Sequence, residues 1–336
     1  MITASPLSRL SSPSPGWREL WRDAITDPRE LLETVGLGHR DDLLPADDAG
    51  FALRVPRGFV ARMRRNDPTD PLLLQVLPQL AEHDQVDGFT TDAVGDMAAK
   101  AGQGILHKYE GRALLIASGS CAVNCRYCFR RHFPYGEEIA AASRWHDALA
   151  HVRADPTIHE LILSGGDPLA LATHKLDELS RGLADIPQVI RLRIHSRLPV
   201  VLPERIDQEL IAWLGGLPLQ KVVVLHANHA NEIDAEVDAA CARLKAAGAT
   251  LLNQSVLLRG VNDDADALAG LSERLFAAGV LPYYLHQLDR VQGTAHFEVS
   301  DTRALALMAD LRARLPGYLV PRLVREVAGD SSKRPL

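Results

Sequence analysis

Three of the four cysteines, Cys121, Cys125 and Cys128, fall within eight positions of one another, in the run Cys-Ala-Val-Asn-Cys-Arg-Tyr-Cys-Phe-Arg-Arg-His. Thiolates this dense suit a soft metal or an iron–sulfur cluster. Zinc sites normally bring two Cys-x-x-Cys pairs or added histidines, and a spacing of three residues then two brings neither. Three protein ligands leave one iron of a [4Fe–4S] cluster bare. A bare iron is what a cluster needs to bind a small molecule and pass it an electron. Three structural thiols or a degenerate zinc site remain the alternative on spacing alone. Cys241 stands apart, sharing a helical face with Val237 and Leu244, and reads as a small core residue.

Other stretches carry polar groups at points where chemistry is feasible. Ser164-Gly165-Gly166-Asp167-Pro168 follows an apolar run; its glycines let backbone approach a ligand closely, and its acid could meet a charged amine. The same phrase alone is an ordinary turn. His226, His229 and Glu232 invite a metal reading, but a satisfied polar loop is the preferred one. Lys333 lies in a polar C-terminal segment after the strand-like residues 321–327, where composition alone makes it a solvated tail.

The elements that must position these groups are legible in outline. Apolar runs at 112–118, 159–164, 189–195, 220–226, 250–257 and 281–287 predict strands. Amphipathic stretches at 143–153, 173–184, 204–214, 231–247, 264–278 and 301–315 predict helices. Repeated β-then-α units imply parallel strands covered by helices. An incomplete (β/α)6-type barrel of α/β class is expected, with an open doubly wound sheet as the alternative. The motifs fall after the strands, where a barrel places its chemistry. Residues 17–35 show helical spacing at Trp17, Leu20, Trp21 and Ala24, broken at Asp27-Pro28. Prolines at 56, 68, 71 and 78 predict short helices and turns over 51–100. The expected division is a disordered arm over 1–16, a mainly helical region over 17–100 and a barrel over 101–336 that carries Lys333 at its end.

Composition excludes some partners. A net charge of −6 and a pI near 6.1 argue against nucleic acid, whose binding needs clustered Lys and Arg. No apolar run approaches the ~18 residues of a membrane span, and the Ser/Pro-rich start lacks an apolar h-region. Crowded cysteines without a disulfide pattern suit a reducing compartment, so a cytoplasmic location is expected.

The cysteine loop, with Tyr127 beside its last cysteine, resembles the signature of the radical S-adenosylmethionine enzymes. More broadly, residues ~50–336 resemble the lysine 2,3-aminomutases through the runs 70–78, 121–136, 164–169, 193–206, 226–233, 253–263 and 282–297. The resemblance implies a [4Fe–4S] cluster on Cys121, Cys125 and Cys128, with S-adenosylmethionine seated by Ser164, Gly165, Gly166 and Asp167 and touched by His226 and Gln254. It implies pyridoxal 5′-phosphate on Lys333, near Tyr109 and Arg112. In this sequence Asp330-Ser331-Ser332 largely replaces the family's Gly-rich segment before that lysine. Arg130 is implied for the substrate carboxylate, and Asp289 and Glu326 for the distal ammonium of L-lysine; Glu326 stands where the family has aspartate. The chain is similar to the short enzymes that supply (R)-β-lysine to a ligase modifying elongation factor P, with flavodoxin or ferredoxin as electron donor. A radical enzyme acting on another amino acid or a lysyl group, and a non-enzymatic metal-binding module, are the competing readings.

Overall fold

Long apolar runs such as Lys221-Val-Val-Val-Leu225 become strands because β-branched side chains fit a pleated surface covered on both faces. The computed structural model describes residues 16–44, 50–143 and 145–336. The arm expected over 1–16 lies, apart from its last residue, outside the described residues.

Among the described residues, ten strands form one sheet in chain order: β1 (Lys100–Gly102), β2 (Ile105–Tyr109), β3 (Arg112–Ser118), β4 (Glu160–Gly165), β5 (Arg191–Ser196), β6 (Gln220–Leu225), β7 (Ala249–Val256), β8 (Leu281–His286), β9 (Arg322–Arg325) and β10 (Arg334–Pro335). Neighbours from β3 to β9 pair in parallel, and the antiparallel pairs β1–β2, β2–β3 and β9–β10 finish the two ends. The six strands expected from the apolar runs are present. The segment 321–327 is the seventh parallel member. The hairpin β1–β2 and the short β10 were not expected, since three-residue and two-residue strands carry too little pattern to read.

No ladder joins β1 to β10, so the barrel is open in its hydrogen bonding. Side chains bring the ends together instead: Lys108 on β2 donates from Nζ to Oε1 of Glu326, one residue past β9, at 2.9 Å.

Six helices, His146–Ala154, Thr173–Leu183, Gln208–Gly216, Ala235–Ala246, Ala265–Ala277 and Asp301–Arg314, cover the outer face. Asp207, Asp234, Asp264 and Ser300 cap four of them by accepting from first-turn backbone N–H groups, each cap worth about 1 kcal/mol. On β5, Leu192, Ile194 and Ser196 are buried against this layer, while Arg191, Arg193 and His195 alternate to the inner side.

At the N-terminus, helices Trp17–Arg22 and Pro28–Thr34 are separated where expected, with Asp27 accepting from Arg29 N–H and Pro28 at the first helical position. Residues 51–100 form short helices and turns. They share one continuous core with the barrel, in which Leu31, Phe59 and Leu72 join Leu115, Trp145 and Leu244.

Candidate active site

The inner face of the sheet encloses a cavity of about 1130 Å³. Its lining includes nine of the residues singled out from sequence: Tyr109, Arg112, Arg130, Ser164, His226, Gln254, Asp289, Glu326 and Lys333. They come from β2, β3, β4 and β7, from the loops after β3, β6 and β8, and from the C-terminal segment.

A chain of charges crosses this cavity. Lys333 Nζ donates to Glu326 Oε2 at 2.6 Å, and Glu326 Oε1 accepts from Lys108. Lys108 Nζ also lies 2.6 Å from Asp96 Oδ1. The other oxygen of Asp96 accepts from Arg130 Nε at 2.6 Å, and Arg130 Nη1 donates to Ser164 Oγ at 3.0 Å. Lys333 is thus joined to the residue two positions beyond Cys128 through four side-chain contacts. Burial pushes Glu326 and Asp96 up, but the neighbouring cations outweigh it and hold both carboxyls below their ordinary range.

Asp289 behaves in the opposite way. Its Oδ1 is buried without a hydrogen-bond partner. Burial, reinforced by the Glu326 charge, pushes it up to about 7. A carboxyl left this way in a cavity is a seat for a cation.

The cysteine loop caps one end of the sheet. Cys121, Cys125 and Cys128 are half-buried and free of disulfides. The N-terminal region clamps the loop: Arg54 C=O accepts from Asn124 N–H at 3.0 Å and Gln75 C=O from Arg126 N–H at 2.9 Å. The fully buried, two-bonded pair of Arg126 with Glu82 fixes it further, and Arg131 adds a third bond to Glu82 at 2.8 Å. Burial, with the other thiols adding to it, pushes the Cys121 and Cys128 thiols up, Cys128 to about 11. Such sulfurs release their protons readily only to bound cationic metal. Among the described residues no three His, Cys, Asp or Glu side chains converge closely enough to hold a single metal ion. Three free thiols on one loop are the soft donor set that a [4Fe–4S] cluster with one open iron takes.

Gly165 and Gly166 lie against this loop. A Cβ on Gly165, whose φ is +118°, would meet Ser118 C=O at 2.5 Å, and one on Gly166 would meet Ser120 C=O at 2.7 Å. Asp167 was expected to meet an amine directly, but its oxygens are spent on protein donors: Leu169 N–H, Ser196 Oγ, Arg197 N–H and Leu198 N–H. It pins the loop after β4 to the turn after β5, which leaves backbone as the ligand-facing part of this motif.

No family model matches the chain. In structure, a radical SAM methyltransferase from Sphaerobacter thermophilus superposes with a TM-score of 0.48 at 19% identity, over 66% of this chain and 68% of that one. In sequence, the chain is 51% identical to the L-lysine 2,3-aminomutase of Escherichia coli (strain K12), over 97% of this chain and 96% of the relative. The L-lysine 2,3-aminomutase of Clostridium subterminale is 32% identical over 95% of this chain and 77% of its own length. The chain belongs to the L-lysine 2,3-aminomutase family. It is therefore an isomerase, an aminomutase.

Within this aminomutase cavity, several residues escaped the reading of the sequence. Asp96 and Lys108 link the charge chain, and His195 and His286 stand on the inner face with His226. Burial pushes all three histidines down, His226 to about 3, so they are neutral donors and acceptors. The strand residues among them had a signal. On a parallel strand buried by helices, polar side chains at alternate positions, as in Arg191, Arg193 and His195, mark an inner face that is wet. Arg130 and Arg131 pair with Asp96 and Glu82. Glu232 accepts from Gln75, Asn228 N–H, His229 N–H and Arg197, so its carboxylate is satisfied within the protein, whereas His226 Nε2 is buried without a partner.

Proposed function

We propose that this aminomutase converts L-lysine to β-lysine by moving the amino group from the α- to the β-carbon. The observation that carries the reading is Lys333, a lysine in the aminomutase cavity tied by Glu326, Lys108 and Asp96 to Arg130 at the cysteine loop. When bound, the [4Fe–4S] cluster with S-adenosylmethionine supplies the radical, and pyridoxal 5′-phosphate supplies the carbonyl that holds the migrating nitrogen.

Cys121, Cys125 and Cys128 hold the cluster. Backbone at Gly165 and Gly166, with His226 and Gln254, seats the nucleotide. Lys333 provides the amine for the aldehyde, and Tyr109 and Arg112 line the space beside it. Arg130 keeps a guanidinium edge toward the cavity for the substrate carboxylate, oriented by Asp96 and Ser164. Asp289 receives the distal ammonium, since its buried oxygen has no other partner. Glu326 holds Lys333 and Lys108 in the ligand-free protein. One of its oxygens is released to a substrate cation once the Lys333 nitrogen is engaged elsewhere.

The finer steps rest on the resemblance to the short enzymes of the family. They are an R product, its transfer by a ligase to elongation factor P, a flavodoxin or ferredoxin as reductant, and a cytoplasmic setting where the cluster stays reduced. No helix among the described residues is long and apolar enough to cross a membrane. Anaerobically reconstituted protein, given reductant, S-adenosylmethionine, pyridoxal phosphate and L-lysine, is expected to form β-lysine, with chiral chromatography reading the enantiomer. Isomerisation of glutamate alone, or unchanged lysine, would overturn the substrate assignment.

A further inference from the structure

A buried guanidinium aims at one of the three sulfurs. Arg197, 6% exposed, donates from Nη1 to Cys125 Sγ at 2.7 Å. Its Nη2 donates to Gln75 Oε1 at 2.7 Å and Glu232 Oε2 at 3.0 Å. The group sits 5.6 Å from the Tyr127 ring centroid and 5.5 Å from that of Phe59. Arg197, on the turn after β5, is held by three other parts of the chain: the N-terminal segment, the cysteine loop and the loop after β6.

Burying a guanidinium is costly unless it is paired and hydrogen-bonded. Glu232 supplies one countercharge, and the Cys125 sulfur accepts the hydrogen bond from Nη1. Arg130 and Arg131 also lie close to the loop, but the hydrogen bonds of their side chains go to Asp96, Ser164, Glu82 and backbone carbonyls. The cradle thus reserves one edge of Arg197 for sulfur. Hydrogen bonds and positive charge at ligand sulfurs favour the more negative, reduced state of an iron–sulfur cluster.

We propose that Arg197 is a positioning residue which, through Cys125, raises the reduction potential of the cluster held by the cysteine loop. This rests on the cluster reading given above.

The test is EPR-monitored redox potentiometry on the reconstituted full chain, with dithionite as electron source and neither substrate nor S-adenosylmethionine present. Arg197→Gln is expected to lower the midpoint so that the reduced-to-oxidised ratio at a fixed potential falls about tenfold, which is 59 mV for one electron. An unchanged midpoint at full iron and sulfide content would overturn the proposal. If Arg197→Gln fails to load the cluster, Glu232→Gln gives the same reading with opposite sign. Removing the countercharge leaves the guanidinium to the sulfur and raises the midpoint, and no rise overturns the proposal. If the unaltered chain assembles no iron–sulfur cluster, the reading of the cysteine loop fails and this inference with it. If it assembles one whose potential ignores these substitutions, this inference alone fails.

Discussion

The Nζ of Lys333 lies 2.6 Å from Oε2 of Glu326. With Lys108 on its other oxygen, Glu326 closes the sheet by ionic contacts and holds the Lys333 amine inside the cavity. Because its carboxyl is held below the ordinary 4.5, Glu326 adds stability above that pH and loses it progressively on acidification. Glu326→Gln is therefore expected to lower stability at pH 7 by about 1–3 kcal/mol, since it leaves two ammoniums facing each other. The deficit shrinks as pH falls below 4.5, which denaturant titration at several pH values reads directly.

Asp289 carries the reverse sign. Its carboxyl rises from 3.8 to about 7 in the folded protein, so the native state keeps a proton that the unfolded chain releases. That preference costs stability as pH climbs from about 4 to 7, and the cost is complete above 7. Asp289→Asn is expected to stabilise the ligand-free protein by about 1–2 kcal/mol at pH 8 and negligibly at pH 4. The same substitution is expected to raise the KM for lysine at least about tenfold, through loss of one desolvated charge contact. Unaltered protein is expected to bind lysine more weakly below pH 7, as Asp289 takes up its proton.

The four cysteines separate by role. Cys121→Ala, Cys125→Ala and Cys128→Ala are each expected to abolish the iron–sulfur absorbance after anaerobic reconstitution. Cys241, fully buried in the helix Ala235–Ala246, is expected to do neither more nor less than fill space. Cys241→Ala keeps full iron and sulfide content and costs about 1 kcal/mol of stability.

Gly166 sits where any side chain would strike the carbonyl of Ser120, the residue just before Cys121. Gly166→Ala is expected to displace the cysteine loop, with stability lower by about 1–3 kcal/mol and reduced iron content per chain. Normal iron content at unchanged stability would mean that the two backbones are not in contact.

Much of this architecture was legible before any coordinates. The strands from 112 to 286 announce themselves by unbroken apolar runs, because both faces of a parallel sheet are covered. The helices over 173–184 and 264–278 show ordinary amphipathic spacing. The hairpin of β1 and β2 did not announce itself, since its strands are brief and half-exposed. Nor could the sequence place Asp96 and Lys108. Their importance comes from a sheet that curls until residues 108 and 326 touch, a long-range contact that no local pattern encodes. The N-terminal region was equally silent, because the functions of Gln75 and Glu82 exist only through Arg197, Arg126 and Arg131. Asp167 was legible as a residue and not as a role: its carboxylate caps a turn that the sequence could not show.

Borohydride reduction of the protein loaded with pyridoxal phosphate, followed by peptide mapping and mass analysis, asks most directly whether the cavity holds its cofactor as proposed. A pyridoxyl mass on the peptide containing Lys333, absent from the Lys333→Ala variant, is the expected result. An unmodified Lys333, with the label on another lysine or on none, would contradict the assignment.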